Sequence, residues 1–582
     1  MSPTAAPGPG PNPDRTVRSA LAARFDLERW LPSSIRSLRA GYDARTLAAD
    51  LVAGVTVGLV AIPLAMAFAI SSGLPPQAGL ACAVVAGLLI SALGGSRVQI
   101  GGPTGAFVVV VSGIVARHGV DGLFMCTLMA GVILLVLGIT GFGTAVDFIP
   151  RPVIVGFTNG IAVLIASTQI RDFLGLAVPH PAGEFLPRMA QMAAALPTVS
   201  LAAALLGGGT LLVILALAAN RRLRRIPGTI VALLAATAAS ASFALPVETI
   251  GTRFGGIPGG WPALHVPQFR PELITPLLGP ALTVALLGAI ESLLSAVVAD
   301  RMSGDRHEPN VELAAQGVAN IVSPMFGGLP ATGAIARTAT NVRAGARTPV
   351  AGMVHALTVL AVLLWAAPLA RFVPLAVLSA ILFVVAWNMG DWGEVRDILK
   401  LPRTDISVWL VTFALTVFAD LTVAVQAGMI LAALLFIRKI ARTTTVSELT
   451  PDDIEAGRAH VVQGKDIPPD TSVWRIHGPF LFGAAERLDA FDQRFDALPP
   501  VVILRLRNMT AIDGTGLAAI EALADRLHDS GRALILEGMR DQPARLMRKA
   551  EFAHHIGPRN VCPHFDAALE RAREIHRTHQ WW

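Results

Sequence analysis

Two ionisable residues interrupt otherwise apolar stretches of this 582-residue sequence. Glu291 lies within the apolar run 283–294, and Arg337 follows the short apolar run 333–336. A charge at the centre of a bilayer costs about 2.5 kcal/mol or more on insertion scales, so such a residue faces a protein interior or a water-filled cavity. One interpretation is a site for a substrate and a coupling ion. The other is a structural ion pair between two helices.

A short motif rich in glycine and proline occurs twice. Gly-Gly-Pro-Thr-Gly-Ala begins at Gly101, and Gly-Gly-Leu-Pro-Ala-Thr-Gly-Ala begins at Gly327. Each precedes an apolar segment, 103–115 or 333–343, that is too short to cross roughly 30 Å of hydrocarbon as a helix. Paired broken spans in two halves of a chain indicate a transporter site between inverted repeats, although Gly and Pro are common in membrane helices generally.

These two segments predict an anion-binding site. A helix that begins midway through the membrane presents free N–H groups, equivalent to about half a positive charge. We expect two such helix ends, at 104–107 and 332–335, to face one another. Gly105 and Gly333 would let a ligand approach the backbone closely, and Arg337 would add positive potential one turn further on.

Glu291 predicts coupling to a cation. Its carboxylate would repel a bound anion unless it were protonated or paired, and this favours H⁺ or Na⁺ as the coupling ion. Ser295, one turn later, is a candidate oxygen ligand, although a membrane serine often bonds to its own helix. Pro63 interrupts the first apolar segment and frees a carbonyl, and Phe68 is a candidate wall of the site, with ordinary packing as the alternative.

The composition predicts a membrane protein. Hydrophobic residues make up 53% of the chain and charged residues 15%, against about 25% charged in ordinary soluble proteins. The charge depletion is confined to residues 46–437. Loops that follow even-numbered segments hold more arginine and lysine than the opposite loops, which predicts two cytoplasmic termini and explains the net charge of +6 without a nucleic-acid partner. The fourteen predicted spans are 49–70, 78–93, 103–115, 122–141, 152–174, 199–219, 227–245, 275–299, 312–325, 333–343, 349–369, 373–388, 405–419 and 421–438.

The C-terminal part has a different pattern. Short β-favouring runs at 473–482, 501–507 and 533–536 flank a helical repeat over 515–529, which predicts a small α/β domain. The expected organisation is a cytoplasmic N-terminal segment (1–45), a transmembrane transport domain (46–438), a linker with the first strand (439–470) and the α/β domain (471–582).

Several motifs together resemble the sulfate permease (SulP) family of anion transporters, which includes pendrin, prestin and a cyanobacterial bicarbonate transporter. They are Ala-Ile-Pro-Leu-Ala-Met-Ala-Phe-Ala at 61–69, the Gly-Gly-Pro-Thr-Gly-Ala motif, and Arg337 followed by Gly-Ala-Arg-Thr at 345–348. The resemblance implies two inverted repeats of seven spans, a core bundle and a gate bundle, a homodimer and elevator-like movement of the core past the gate.

The resemblance also implies a set of site residues. The anion would lie between the N-termini of the third and tenth spans, flanked by the first and eighth, and Glu291 matches the carboxylate of the eighth span that is linked in the family to cation coupling. Many relatives carry Gln at the position of Leu64, which implies fewer polar contacts from the first span here. The implied substrate-binding residues are Pro63, Leu64, Phe68, Pro103, Thr104, Gly105, Ala106, Phe107, Gly333, Ala334, Ile335, Ala336 and Arg337.

The C-terminal domain resembles a STAS domain. The run 513–517, Asp-Gly-Thr-Gly-Leu, is similar to the Asp-Ser-Ser/Thr-Gly-Leu turn of anti-sigma-factor antagonists. Gly514 replaces the phosphorylatable serine, which argues against a phosphoserine switch. Thr515 is expected to be a helix N-cap rather than a phosphosite. Asp513 and Thr515 are the candidate regulatory residues, with a cytoplasmic protein or a nucleotide as partner.

The predicted function is secondary active transport of bicarbonate, sulfate or a dicarboxylate across the inner (plasma) membrane. An anion channel, a voltage-responsive membrane protein and a nucleobase-type permease are the alternatives. Arg337 and the STAS-like domain argue against a nucleobase, since a neutral base needs no cationic residue. The sequence contains no His cluster, metal-ligand spacing or Ser/His/Asp arrangement, so neither an enzyme nor a cofactor is expected beyond coupling Na⁺ or H⁺.

Overall fold

The computed structural model describes residues 30–578 apart from 144–149, 180, 221, 223–226, 265–269, 420, 450–464, 483–487, 489–490 and 492–493. Most of the predicted N-terminal segment and part of the predicted linker lie outside the described residues. The chain forms two compact units, one ending at Met429 and the other beginning at Ile430. This boundary falls within an apolar helix, Leu421–Thr443.

The first unit is built almost entirely of helices, as expected where the backbone has no water to bond and must satisfy its own N–H and C=O groups. Two very short strands are the exception: β1 (Gly101–Gly102) and β2 (Thr332–Gly333). The helices are α1 (Ser33–Arg39), α2 (Ala44–Ser71), α3 (Pro76–Leu93), α4 (Val108–Ile139), α5 (Arg151–Leu174), α6 (Phe185–Ala194), α7 (Leu201–Ala219), α8 (Gly228–Ser242), α9 (Ile250–Phe254), α10 (Ile274–Ser303), α11 (Pro309–Val322), α12 (Ile335–Arg343), α13 (Val350–Trp365), α14 (Leu375–Met389), α15 (Trp392–Ile398), α16 (Arg403–Phe418) and α17 (Leu421–Thr443).

A helix lies over each of the predicted spans. Seven helical stretches in the described part of the chain are long and apolar enough to cross a bilayer, and α8 and α13 are shorter apolar helices. The chain is therefore a mostly helical, multi-pass membrane protein, while fourteen crossings remain a prediction. The seven stretches are Ala44–Ser71, Pro76–Leu93, Gly105–Ile139, Arg151–Leu174, Leu201–Ala219, Pro271–Ser303 and Leu375–Ile398.

The first broken span is one arm of a kinked helix. After a 3₁₀ turn at Gly105–Phe107, α4 runs to Ile139, but its geometry breaks at Gly119, where φ is +71°. Glycine occupies this left-handed region without the steric cost that other residues meet. The break falls between the predicted segments 103–115 and 122–141, so the first arm is too short to span the membrane alone.

The helices of the first unit pack in two groups. One group contains α2, α3, α4, α10, α11, α12 and α13, and the other contains α5, α7, α8, α14 and α16. Within the first group the contacts repeat: α13 packs against α2 and α3, and α4 packs against α10 and α11. In the second group α16 packs against α5, and α14 against α7. This pairing is the pattern expected of two related halves.

The second unit is an α/β domain around a five-stranded sheet with the order β3-β4-β5-β6-β7. Strand β3 is antiparallel to β4, and the remaining neighbours are parallel. The strands are β3 (Thr445–Glu448), β4 (Thr471–Phe480), β5 (Val501–Ile512), β6 (Ala533–Glu537) and β7 (Val561–Cys562), and the helices are α18 (Gly514–Asp529), α19 (Asp541–Lys549), α20 (Ala553–Ile556) and α21 (Phe565–Thr578).

Helices cover both faces of this sheet. Val502 and Leu504 belong to the hydrophobic cluster that includes α18, whereas Ile503 belongs to the cluster that includes α21. Side chains alternate between the two faces of a strand, so a strand covered on both sides is continuously apolar. This explains why the run 501–504 has no polar position, and the predicted strands and helix of this region are present.

The start of α18 corrects one prediction. Thr515 is not the N-cap, because α18 begins at Gly514 and the N-cap is Asp513. The Asp513 backbone is extended, and its Oδ1 accepts a hydrogen bond of 2.8 Å from the Gly516 N–H. A carboxylate at this position pairs with an N–H that would otherwise have no acceptor, and its negative charge interacts favourably with the positive N-terminal end of the helix dipole.

Candidate functional site

The two broken spans cross each other inside the first unit. Strands β1 and β2 pair antiparallel, with Gly101 opposite Gly333 and Gly102 opposite Thr332. A helical segment starts within three residues of the end of each strand, at Gly105 on one side and at Ile335 on the other. The crossing therefore brings together two helix N-termini that are more than 200 residues apart in the sequence, as the repeated motif predicted.

Thr104 and Thr332 hold the centre of the crossing. They occupy equivalent places in the two Thr-Gly-Ala repeats, and the Thr332 hydroxyl donates to the Thr104 hydroxyl across 3.2 Å. Both side chains are buried. The Ala334 N–H donates to the Ile100 carbonyl at 2.8 Å, while the N–H groups of the first turn of α12 have no acceptor within their own helix.

Close packing of protein atoms explains the glycines of the motif. A Cβ on Gly105 would lie 3.1 Å from Ile165 Cδ1 and 3.3 Å from Phe68 Cε1. A Cβ on Gly333 would overlap the Gln99 side-chain nitrogen at 1.6 Å. Protein side chains thus already fill the Cβ side of both glycines, which the sequence-based argument for ligand approach did not anticipate.

Arg337 anchors the second broken span to the first. It is 3% exposed, and one terminal nitrogen of its guanidinium donates to the Pro103 carbonyl. The other terminal nitrogen, NH1, has no hydrogen-bond partner within the described part of the chain. The Arg337 guanidinium therefore places a positive charge beside the crossing, and NH1 keeps N–H groups that could donate to a ligand.

Glu291 stands close to the crossing along α10. It is 7% exposed, and no ion pair or hydrogen bond to its carboxylate is found among the described residues. Arg337 is bonded to Pro103 instead, so the alternative of a Glu291–Arg337 ion pair is wrong. Its neighbour Ser292 accepts a hydrogen bond from the Gly333 N–H at 3.1 Å, which ties α10 to β2.

Ser295 contacts the second broken span and not its own helix. Its hydroxyl lies 3.0 Å from the Thr338 hydroxyl, and Thr338 accepts a hydrogen bond of 3.0 Å from the Ile100 N–H. Of the two alternatives for Ser295, bonding within its own helix is therefore not the one observed. Ser295 therefore helps to fix α12 against the segment that leads into β1.

The remaining predicted residues fall into three groups. Pro103, Ala106 and Phe107 are buried at the first helix start, and Ala334 is buried at the second. Ile335 and Ala336 are exposed on the first turn of α12. Pro63, Leu64 and Phe68 are buried on α2, and of these Phe68 borders Gly105.

Sequence reasoning missed the polar residues that support the crossing. Gln99 donates from Nε2 to the Ser292 carbonyl at 3.1 Å, and Asn341 donates from Nδ2 to the Val98 carbonyl at 2.9 Å. Thr338 was also missed. The available signal was the recurrence of small polar residues within apolar stretches, which is costly in a membrane unless each one is paired.

No cluster of three metal-binding side chains occurs among the residues that the structure describes. A cavity of about 310 Å³ lies elsewhere, lined by residues of α5, α6, α14 and α15. Its lining includes Ala162, Phe185, Phe383 and Trp387 and is almost wholly apolar, which does not suit a small anion.

The candidate regulatory residues lie in the second unit. Asp513 Oδ2 accepts a hydrogen bond of 3.0 Å from the Phe482 N–H, in addition to the bond that caps α18. Thr515 is exposed on the first turn of α18. Asp513 thus has a structural role in the turn, whereas the Thr515 hydroxyl is accessible.

Comparison with known proteins places the chain in a family. Its residues 47–412 match the sulfate permease family and residues 464–568 match the STAS domain. It is 41% identical over 529 residues to the putative sulfate transporter YvdB of Bacillus subtilis (strain 168), covering 90% of this chain and 98% of that protein.

Solved structures agree with this assignment. The transmembrane domain of the cyanobacterial bicarbonate transporter BicA aligns with a TM-score of 0.59 and 33% identity over 67% of this chain and 98% of that one. The structure of SLC26A9 aligns with a TM-score of 0.83 over 100% of this chain and 99% of that one, but at 17% identity it speaks for the fold alone.

The chain belongs to the sulfate permease family of anion transporters and carries a STAS domain. It is a membrane transporter of this family and not an enzyme. The resemblance drawn from the sequence motifs is confirmed.

Proposed function

We propose that this chain is a secondary active transporter of small anions, with bicarbonate, sulfate or a dicarboxylate as its substrate. The observation that carries the proposal is the buried crossing at Thr104 and Thr332, where two helices begin side by side. Free N–H groups and aligned peptide dipoles at such ends attract an anion without a full countercharge. Relatives described as a putative sulfate transporter and as a bicarbonate transporter support this range of substrates.

The anion binds at the crossing and is enclosed by α2. Arg337 contributes positive charge from behind, and Leu64 offers it an apolar surface in place of a polar contact. The residues assigned to anion binding are Pro63, Leu64, Phe68, Pro103, Thr104, Gly105, Ala106, Phe107, Gly333, Ala334, Ile335, Ala336 and Arg337.

Coupling acts through Glu291 and Ser295. An unpaired carboxylate beside an anion site repels the anion, and a proton or Na⁺ on the carboxylate removes the repulsion. Binding of the cation and of the anion therefore favour each other, which is the thermodynamic basis of symport. The lack of an ion pair to Glu291 in the described part of the chain supports this role.

Movement of one helix group against the other gives access to each side of the membrane. The group containing α2–α4 and α10–α13 is the moving core, and the group containing α5, α7, α8, α14 and α16 is the stationary gate. Their repeated packing supports two inverted halves of seven spans and an elevator-like mechanism.

The proposed wider organisation is the one that the sequence predicts. The transport domain covers residues 46–438 and the STAS domain 471–582, joined by residues 439–470. The protein is a homodimer in the plasma membrane, and both termini, including the segment 1–45, lie on the cytoplasmic side. The STAS domain binds a cytoplasmic protein or a nucleotide at Asp513 and Thr515.

Reconstitution into liposomes tests the transport assignment. Purified chain is given labelled bicarbonate, sulfate or fumarate under an imposed pH gradient or Na⁺ gradient. Accumulation above the equilibrium level with one gradient identifies the anion and the coupling ion. Anion flux that only follows its own gradient would contradict coupled transport and favour a channel, and uptake of a neutral nucleobase would favour the permease alternative.

Two variants separate coupling from binding. Glu291→Gln is expected to abolish gradient-driven accumulation while anion exchange continues, because the amide binds no proton or cation. Arg337→Ala is expected to raise the KM for the anion, because positive potential and the bond to Pro103 are both lost. Gradient-driven accumulation that persists in Glu291→Gln would remove the coupling assignment.

A further inference from the structure

A stripe of polar side chains runs along one face of α11, deep inside the first unit. Glu312, Gln316 and Asn320 are spaced four residues apart, so they share one side of the helix. None of them is more than 1% exposed. Polar groups buried to this extent require hydrogen-bond partners, and Glu312 and Asn320 find such partners in the two segments that lead into the crossing.

Glu312 holds the segment before the first broken span. Its Oε2 accepts hydrogen bonds from the Gly95 N–H at 3.0 Å and the Ser96 N–H at 3.1 Å. A Cβ on Gly95 would lie 2.2 Å from the carbonyl oxygen of Glu308, the N-cap of α11, so this segment packs directly against the backbone at the N-terminal end of that helix. The segment continues from Ser96 into β1.

Asn320 holds the segment before the second broken span. Its Nδ2 donates to the Ala331 carbonyl at 2.9 Å, and its Oδ1 accepts from the Ala331 N–H at 2.8 Å. Ala331 is the residue directly before β2. The side-chain amide thus pairs with both backbone groups of Ala331, as a neighbouring strand would.

Gln316 joins these two anchors. Its Nε2 donates to Glu312 Oε1 at 2.9 Å, and its backbone carbonyl accepts from Asn320 Nδ2 at 2.8 Å. A single rigid helix therefore fixes the approach to both helix N-termini through one continuous hydrogen-bonded chain. Gln316 Oε1 has no hydrogen-bond partner within the described part of the chain, so the network runs through Gln316 Nε2 and its backbone carbonyl, and these bonds stiffen the segments that they join.

We propose that Glu312, Gln316 and Asn320 are positioning residues that hold the two broken spans in register, so that anion affinity depends on side chains that do not touch the anion. The proposal rests on the proposed anion site at the crossing. Loss of Asn320 leaves both backbone groups of Ala331 unpaired in the interior, and β2 must shift to find new partners. Small displacements of groups that bind a ligand cost affinity steeply.

The test compares Asn320→Ala with Leu313→Ala in the full-length chain. Leu313 is a buried apolar residue of the same helix, so its variant loses stability without losing a polar anchor. Uptake kinetics in liposomes and the Tm are measured for both variants. A KM at least tenfold higher in Asn320→Ala alone, with kcat within threefold of wild type, supports the proposal. Equal KM values for the two variants, or an unchanged KM in Asn320→Ala, overturn it.

Glu312→Gln distinguishes positioning from proton transfer. The amide keeps a carbonyl oxygen for the Gly95 and Ser96 N–H groups, and its nitrogen can donate to Gln316 Oε1, which lacks a partner within the described residues, once the Gln316 amide turns over. Because the amide binds no proton, a positioning role predicts a KM within threefold of wild type and an unchanged accumulation ratio. Loss of gradient-driven accumulation would instead make Glu312 a coupling group and overturn the proposal. Gln316→Met is the second variant if Asn320→Ala does not fold, and its KM must rise at least threefold.

A readout that needs no transport separates this proposal from the assigned function. In the combined variant Thr104→Cys, Thr332→Cys, oxidant closes a disulfide at a rate set by the register of the crossing. The rate is expected to fall at least tenfold when Asn320→Ala is added. An unchanged rate would overturn the positioning role whether or not the protein moves anions, whereas absent anion uptake with a slowed rate would contradict only the transport assignment.

Discussion

Replacement of Thr332 by valine removes one hydroxyl from the crossing and leaves the shape of the side chain nearly unchanged. Thr332 is fully buried, and its hydroxyl lies 3.2 Å from the Thr104 hydroxyl. The two threonines belong to different halves of the chain but to equivalent positions of the repeated motif. Their hydroxyls are therefore both a direct link between the two broken spans and candidate donors to the anion.

The expected magnitude follows from the worth of one buried hydrogen bond. Such a bond contributes about 0.5–1.5 kcal/mol net, which corresponds to a change of roughly 2- to 13-fold in an equilibrium constant. We therefore expect Thr332→Val to raise the KM for the anion by about that factor. Thr104→Val should act in the same direction, because it breaks the same bond.

The assay is labelled-anion uptake in liposomes with both single variants and the double variant. The two substitutions remove one shared interaction, so the double variant is expected to show a coupling energy of about 0.5–1.5 kcal/mol. Thr210→Val is the matched control: Thr210 is 2% exposed, and its hydroxyl bonds within its own helix to the Leu206 carbonyl at 2.8 Å. Strictly additive effects, or a KM for Thr332→Val equal to that of Thr210→Val, would refute the reasoning.

Two further predictions concern groups outside the membrane-spanning segments. The hydrogen bond from Arg253 holds the pKa of the Glu248 carboxyl below its ordinary value of 4.5. A carboxyl group whose pKa is lower in the folded than in the unfolded state stabilises the fold at pH values above its unfolded-state pKa. This stabilisation is lost as the pH falls through the folded-state pKa. The Tm should therefore fall more steeply below pH 4.5 in wild type than in Glu248→Gln, and parallel curves would contradict the assignment. Because Asp513 caps α18, Asp513→Ala should lower the stability of the STAS domain by about 0.5–2 kcal/mol in a thermal unfolding experiment. Thr515→Ala should stay near wild type in the same experiment. Equal losses of stability in the two variants would contradict the assignment of Asp513 as the cap.

The sequence alone determined the class of protein and the ends of the crossing. Long apolar runs with few charges usually form membrane-spanning helices, because backbone N–H and C=O groups in hydrocarbon can form hydrogen bonds only within the protein. The repeated Thr-Gly-Ala motif before two short segments predicted helices that start inside the membrane, and the structure brings Thr104 and Thr332 together. These signals are local, so periodicity and composition carry them.

The support behind the crossing could not be derived from local patterns. The bond from Arg337 to Pro103 joins residues 234 positions apart, and that from Gly95 to Glu312 joins residues 217 apart. The spacing of apolar residues along α10 and α11 does not specify which face of each helix contacts which loop. For the same reason the sequence left open whether Ser295 supplies a ligand oxygen or bonds within its own helix, and it did not predict the contact with Thr338.

The Thr515 error has a local cause. Aspartate and threonine are both good N-caps, and the sequence places them two residues apart, so propensity alone cannot select between them. The extended backbone of Asp513 and the position of the Gly516 N–H decide in favour of the carboxylate. For the described residues of this chain, tertiary structure decided which polar groups pair with one another. The sequence supplies groups that need hydrogen-bond partners, but only the folded backbone brings one particular partner within hydrogen-bonding distance.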